Sequence, residues 1–136
     1  MTTVVVYASV VVQACLEATG FEALTDFDLV GPPLLPSEAR SALHELLWRA
    51  EISGDLAKRA LVRLRAAPYE IRDPDGLPDA AWQVAESLGW AKTYDAEYVA
   101  LARILGCPLV TADARLARGA GRVVRIVGPG DVSTLG

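Results

Sequence analysis

The sequence predicts an α/β fold, a three-layer α/β/α sandwich around a five-stranded parallel sheet, and three observations lead there. Short apolar runs alternate with helical segments along the chain. The opening run, Thr3-Val4-Val5-Val6, is β-branched, continuous and uncharged, as a strand buried on both faces must be. The third observation is that Glu38, Asp95 and Asp113 each sit at a seam between an apolar run and the next helix, the place where such folds gather an active site. Residues 1–136 read as a single domain, long enough to bury roughly two-thirds of its unfolded surface without metal or disulfide staples.

After the first strand, residues 9–18 read as a helix and residues 21–28 as a second, short one. Leu29-Val30 before Gly31-Pro32-Pro33 leaves room only for a short strand, because proline removes ladder donors. Pro36-Ser37 opens a long helix with Ala39, Ala42, Leu43, Leu46, Leu47 and Ala50 in one stripe. Ser53-Gly54-Asp55 breaks and re-caps the chain, and Leu56, Ala60, Leu61, Leu64 and Ala67 form the stripe of an antiparallel neighbour. Residues 69–72 make a third strand, stopped by Asp73-Pro74-Asp75-Gly76. A helix at 77–88 follows, then one capped by Thr93 that runs to Leu105 and stops at Gly106. Residues 108–111 and 122–127 supply the fourth and fifth strands.

Hydrophobic residues make up 52% of the chain, yet no run approaches the roughly 20 apolar residues of a bilayer span, so a soluble protein without a membrane role is expected. The start lacks a basic segment and a small-residue cleavage site, which points to a cytoplasmic protein. Cys15 and Cys107, in apolar surroundings and without CxxC spacing, read as reduced core thiols. A net charge of −4 argues against holding nucleic acid by bulk phosphate neutralisation. Basic residues are nevertheless grouped: Arg40, Arg49, Lys58, Arg59, Arg63, Arg65 and Arg72 along one stretch, then Arg115, Arg118, Arg122 and Arg125. Taken alone, either group reads as a solvated helix face. His44, the only histidine, adjoins an apolar stripe and reads as structural; Trp48, Trp82 and Trp90 read as core or interface packing.

The acids should converge. Between Asp95 and Asp113 lie one helix and one strand; the helix travels roughly 16 Å at 1.5 Å per residue and the strand returns about as far. Position 7 ends the first strand and Glu38 begins the helix after the second, so both fall on the same carboxyl edge of the sheet. Carboxylates brought together without a cation repel and are driven towards protonation, and a divalent metal resolves the conflict. Without a histidine or cysteine cluster, an all-oxygen site favours Mg²⁺ or Mn²⁺, suited to polarising a phosphate and activating water. Taken singly, each acid reads as a helix cap or surface charge; only the shared edge argues for more.

Val4-Val5-Val6-Tyr7-Ala8-Ser9, Pro36-Ser37-Glu38-Ala39, Tyr94-Asp95-Ala96 followed by Ala100-Leu101-Ala102, and Leu109-Val110-Thr111-Ala112-Asp113 occur in an order that resembles the PIN-domain family, and within it the VapC toxins of bacterial toxin–antitoxin pairs. The resemblance implies strand order 3-2-1-4-5 and a Mg²⁺- or Mn²⁺-dependent endoribonuclease acting on RNA. It also implies a VapB-like antitoxin as partner and a homodimer or toxin–antitoxin hetero-oligomer. Carried over by residue, Glu38, Asp95 and Asp113 match metal-binding acids, and Ser9 and Thr111 match supporting hydroxyls. The family's first acid falls on Tyr7, where the match fails. A phenol with an ordinary pKa near 10 offers a neutral oxygen instead of an anion, and its ring fills space that a hydrated metal needs. Glu97, about 200° around the helix from Asp95, is a poor replacement. Weak metal binding and little or no cleavage are therefore expected, from an inactivating substitution in an otherwise intact toxin or from a natural module that only holds a partner. A nucleotide-binding domain fares worse, because Ala8-Ser9-Val10 follows the first strand in place of a glycine-rich phosphate loop.

Overall fold

The computed structural model of the chain describes residues 1–135. Five parallel strands lie in the order β3-β2-β1-β4-β5: β1 (Thr2–Val6), β2 (Phe27–Gly31), β3 (Tyr69–Ile71), β4 (Leu109–Val110) and β5 (Ile126–Val127). The central place of β1 follows from its residues. Val4, Val5 and Val6 are fully buried and β1 pairs on both sides, Val4 with Leu29 and Val5 with Val30 of β2, and Val6 with Val110 of β4.

Two groups of helices cover this sheet. Helices α1 (Ala8–Leu16), α2 (Leu35–Trp48) and α3 (Gly54–Arg65) pack on one another, while α4 (Leu77–Leu88) packs on α5 (Tyr94–Leu105), which lies against β1 and β4. Right-handed crossovers in this strand order put the two groups on opposite faces, which yields the three layers. Helix α1 is buried along Val10, Val11, Val12, Ala14 and Cys15, and its end is held by Arg63 of α3, which donates to the carbonyls of Cys15 (3.0 Å) and Glu17 (3.3 Å). Arg63 thus serves as an interhelical clamp. Ser53 caps α3 by accepting from the Leu56 amide at 3.1 Å. Cys15 and Cys107 are both free thiols.

Several boundaries differ from expectation. Residues 21–28 form only a 3-10 turn at Glu22–Leu24, and Phe27 and Asp28 belong to β2, where they pair with Thr2 and Thr3. A segment this short cannot offset the cost of helix nucleation, whereas pairing with the central strand satisfies its backbone directly. Helix α2 stops at Trp48, and Ala50 adopts a left-handed φ of 58°, turning the chain towards α3. A seven-residue helix, α6 (Ala114–Ala120), precedes β5 and shortens that strand to two residues. Its buried stripe is only Leu116 and Ala120, too little for periodicity to show. His44 is exposed, as are Trp48 (78%) and Trp82 (63%), so those two tryptophans are not core. No helix among the described residues is long and apolar enough to cross a membrane.

The link from β2 to α2 carries Glu38 to the sheet edge, and it depends on close packing. Buried Gly31 ends β2 directly against Leu35, the fully buried first residue of α2, and a Cβ at position 31 would overlap the Leu35 side chain. Gly31→Ala should lower stability by roughly 1–3 kcal/mol, read as a shift in the urea midpoint with little change in slope.

Candidate active site

The parallel sheet places the ends of β1, β2 and β4 on one edge, and the expected site residues gather there. Tyr7 follows β1 in extended conformation (φ −73°, ψ 151°) as the N-cap of α1; its amide donates to the Val110 carbonyl (3.0 Å) and its carbonyl accepts from Val10 (3.0 Å). Its backbone thus belongs to the β1–β4 ladder and to α1 at once, which holds the side chain over the edge. Glu38 lies in the first turn of α2 and Asp95 in the first turn of α5. Asp113 caps α6, its Oδ1 accepting from the amides of Arg115 (2.9 Å) and Leu116 (3.1 Å).

Two phenols hold the acids. Tyr7 Oη donates to Asp95 Oδ1 at 2.6 Å, and Tyr98 Oη donates to Glu38 Oε1 at 2.8 Å. The two rings meet edge to face, with centroids 4.8 Å apart and planes at 61°, a favoured geometry for aromatic pairs. Tyr98 is fully buried, so its hydroxyl requires a partner and Glu38 provides one. Both bonds run from a neutral O–H to a carboxylate, the charge-assisted kind that is short and strong. Asp95 and Tyr98 stand three residues apart on α5, so they share a face and reach Tyr7 and Glu38 from one surface.

Charge follows from this arrangement. Burial chiefly raises the Tyr7 phenol far above its ordinary range; the bond to Asp95 and the nearby charges of Asp95, Glu38 and Asp113 raise it further. Tyr98 is raised in the same sense by burial and by Glu38. The Glu38 carboxyl lies above its usual value, mainly through burial and also through Asp95 and Glu97, with the Tyr98 bond pulling the other way. Glu97 is itself raised by burial and by Asp73. Glu97 therefore bears on Glu38 across space even though helix periodicity turns it away from Asp95. At neutral pH both phenols keep their protons and donate to the carboxylates.

The supporting hydroxyls divide. Thr111 is buried at 3% exposure and its Oγ1 accepts from the Asp113 amide at 3.1 Å, fixing the turn into α6. Ser9 is exposed and makes no side-chain hydrogen bond among the described residues. Tyr98 is the contributor that sequence reasoning missed; the available signal was its i, i+3 relation to Asp95.

The site with Tyr7 does not fit a divalent cation. One oxygen of each acid is already engaged, by Tyr7, by Tyr98 and by the α6 amides. Among the described residues no group of three acids, histidines or cysteines is spaced to hold one ion. The Tyr7 phenol, near enough to all three acids for each to raise it, donates its hydrogen bond to Asp95. Around it opens a cleft of about 580 Å³ lined by Tyr7, Glu38, Asp95, Trp90, Lys92, Tyr94 and Arg115, among others.

This architecture can be set beside known proteins. "VapC ribonuclease Mb0985" of Mycobacterium bovis is 39% identical over 85 residues, 62% of this chain and 65% of that protein. "Ribonuclease VapC1" of Mycobacterium tuberculosis is 40% identical over 94 residues, 66% of each. The matched region thus spans just under two thirds of the length of these relatives. The crystal structure of PAE2754 from Pyrobaculum aerophilum superposes with a TM-score of 0.70 at 23% identity, covering 98% of this chain and 92% of that one. VapBC2 from Rickettsia felis, bound to a DNA fragment from its promoter, gives 0.65 at 12% identity and covers 93% and 98%. These two likenesses concern the fold. The PIN domain profile matches residues 5–122, from the central strand through α6, and the chain belongs to the PIN-domain family.

Proposed function

We propose that this chain is a VapC-type toxin, an endoribonuclease scaffold that hydrolyses RNA phosphodiester bonds with Mg²⁺ or Mn²⁺ and that Tyr7 silences. The observation that carries the reading is the gathering of Glu38, Asp95 and Asp113 around position 7, with the Tyr7 phenol bonded to Asp95. An aspartate at position 7 would restore a fourth oxygen ligand and remove the ring that fills the centre. Bound there, the metal would supply charge neutralisation and an activated water, the part of the chemistry that side chains alone lack. The chain's own share is positional: Tyr98 fixes Glu38, and Thr111 fixes the turn that presents Asp113.

The ribonuclease names of the relatives support the activity class, and the VapBC and FitAB complexes among structures of like fold support an antitoxin as partner. Exposed Leu47 and Trp48 on α2 and Val62 on α3 offer an apolar surface for that antitoxin, or for a second copy in a dimer. A second reading has its own observation: with both phenols satisfied, the centre is well formed without metal, as suits a catalytically dead module that only binds antitoxin. A soluble, cytoplasmic protein suits both readings.

RNA cleavage separates them. In Mg²⁺ or Mn²⁺ the Tyr7→Asp variant should degrade total RNA at least about 100-fold faster than the parent, and EDTA should abolish the activity. Adding Tyr98→Phe to that variant should cost roughly 10-fold or more, as loss of a ligand-orienting partner does. If neither protein cuts RNA, partner binding becomes the leading function. If both cut equally, the role given to Tyr7 is wrong.

Stability should follow pH as the shifted groups dictate. Glu38 has a folded pKa above its unfolded value near 4.5, so its contribution is full below that value and is lost as pH rises through the folded pKa. Tyr7 has a raised phenol, so its contribution holds through neutrality and is lost only as pH rises above about 10. Tyr7→Asp adds a carboxylate to this cluster. In EDTA at about pH 7 it should be less stable than the parent by roughly 1–3 kcal/mol, and the gap should narrow towards about pH 4. Urea denaturation at the two pH values measures both.

A further inference from the structure

The opposite edge of the sheet, where the strands begin, carries a second cleft that the hydrolytic chemistry leaves unused. It has a volume of about 410 Å³ and is lined by Arg103, Cys107, Pro108, Val123, Val124 and Arg125, among others. Its walls follow from the path of the chain. Helix α5 ends at Gly106 with a left-handed φ of 64°; the Gly106 amide donates to the Arg103 carbonyl (3.2 Å) and the Cys107 amide to the Ala102 carbonyl (3.0 Å). Cys107 and Pro108 are thereby folded back along the last turn of α5. On the other side the Val123 and Val124 amides donate to the Ala120 carbonyl at the end of α6 (2.9 and 3.1 Å), and the Arg125 carbonyl accepts from Leu109 of β4 (2.9 Å). Backbone bonds hold both walls, so the cleft is formed before any ligand arrives.

The lining is apolar at its base and positive in its exposed parts. Cys107, Pro108, Val123 and Val124 are half-buried. Burial raises the Cys107 thiol above its ordinary range, against the pull of a Val5 backbone hydrogen bond, so the base carries no charge at neutral pH. Arg103 and Arg125 are exposed, and among the described residues neither guanidinium enters an ion pair or a side-chain hydrogen bond. Arg122, also exposed, adds a third positive charge just before Arg125. From Tyr98 to Gly130 the only acid is Asp113, which caps α6 at the far edge. Asp26, Asp28 and Glu70, also near strand starts, lie at β2 and β3 beyond β1, and Arg72 pairs with the last two.

We propose that this cleft binds a small phosphate ester, with Arg103 and Arg125 on the phosphate and the body of the ligand on Val123, Val124, Cys107 and Pro108. The site lies across the sheet from Tyr7 and does not depend on the nuclease reading. Unpaired guanidiniums on a chain of net charge −4 call for an anion, and their planar forks match phosphate oxygens two at a time. Two cations suit the double charge of a phosphate monoester better than the single charge of a carboxylate. The concave shape and apolar base favour a small ligand over a polymer, since the volume falls within the roughly 300–1,000 Å³ of small-molecule sites.

Titration calorimetry on the parent chain in EDTA tests this. The probes are ADP, with adenosine and pyrophosphate as its separate halves, and phenyl phosphate, with benzoate as its singly charged match. At least one of the two esters should bind, one per chain and at least about 10-fold tighter than its own comparison compounds. Arg103→Ala and Arg125→Ala should each weaken that binding about 10-fold or more. Both residues are exposed and unpaired, so the urea midpoint should not move. Arg59→Ala, exposed on α3, should bind as the parent does. A second readout locates the ligand: the bound ester should slow alkylation of Cys107 by iodoacetamide, while fully buried Cys15 stays unreactive. Binding that ignores both arginines, binding that falls instead with Arg115→Ala at the other edge, esters held no better than their comparison compounds, or no binding of either ester overturns the proposal. Single-stranded RNA held by Arg103 and Arg125 with neither ester bound overturns it as well and gives this face to a polymer.

Discussion

The hydrogen bond from Tyr7 Oη to Asp95 Oδ1, 2.6 Å long, sets the terms for everything else at the carboxyl edge of the sheet. Three carboxylates lie close enough for each to raise the Tyr7 phenol, and none of the observed ion pairs involves one of them. Such a cluster needs positive charge or protons. Tyr7 and Tyr98 donate hydrogen bonds to two of the acids, and backbone amides of α6 serve the third. The arrangement engages one oxygen of each acid from within the chain itself.

This centre is a direct product of the fold. A valine run with no polar side chain can be buried on both faces only in the middle of a sheet, and parallel pairing on both sides then fixes where its end emerges. Tyr7 is the first residue past that end, anchored by Val110 on one side and by the start of α1 on the other. The Gly31–Leu35 contact sets the angle at which α2 brings in Glu38, and α5, packed on β1 and β4, brings in both Asp95 and Tyr98. Small errors in any of these packings would move a carboxylate by the length of a hydrogen bond.

Much of this was legible in the residues. The β-branched opening run, the stripe of the helix after Pro36 and the seams carrying Glu38, Asp95 and Asp113 fixed the strand direction and the edge where the acids meet. The family's strand order, implied by resemblance, is the observed one. The readings that failed are those that depend on partners distant in sequence. Phe27 and Asp28 join β2 because Thr2 and Thr3 are beside them, a contact that no local pattern reveals. Helix α6 was hidden by its length and by the arginines that fill its surface. Nothing local to α5 says that the Tyr98 hydroxyl meets Glu38, sixty residues earlier in the chain.

The central claim is that a phenolic proton stands where a divalent cation would otherwise be held, and metal binding tests it without reference to RNA. Mn²⁺ titrated into the parent and into Tyr7→Asp, with the free ion counted by electron paramagnetic resonance, distinguishes the cases. The account predicts that the parent leaves Mn²⁺ free and that Tyr7→Asp removes one ion per chain from solution. Equal, tight binding by both proteins would contradict it, since Tyr7 would then be no obstacle to the metal.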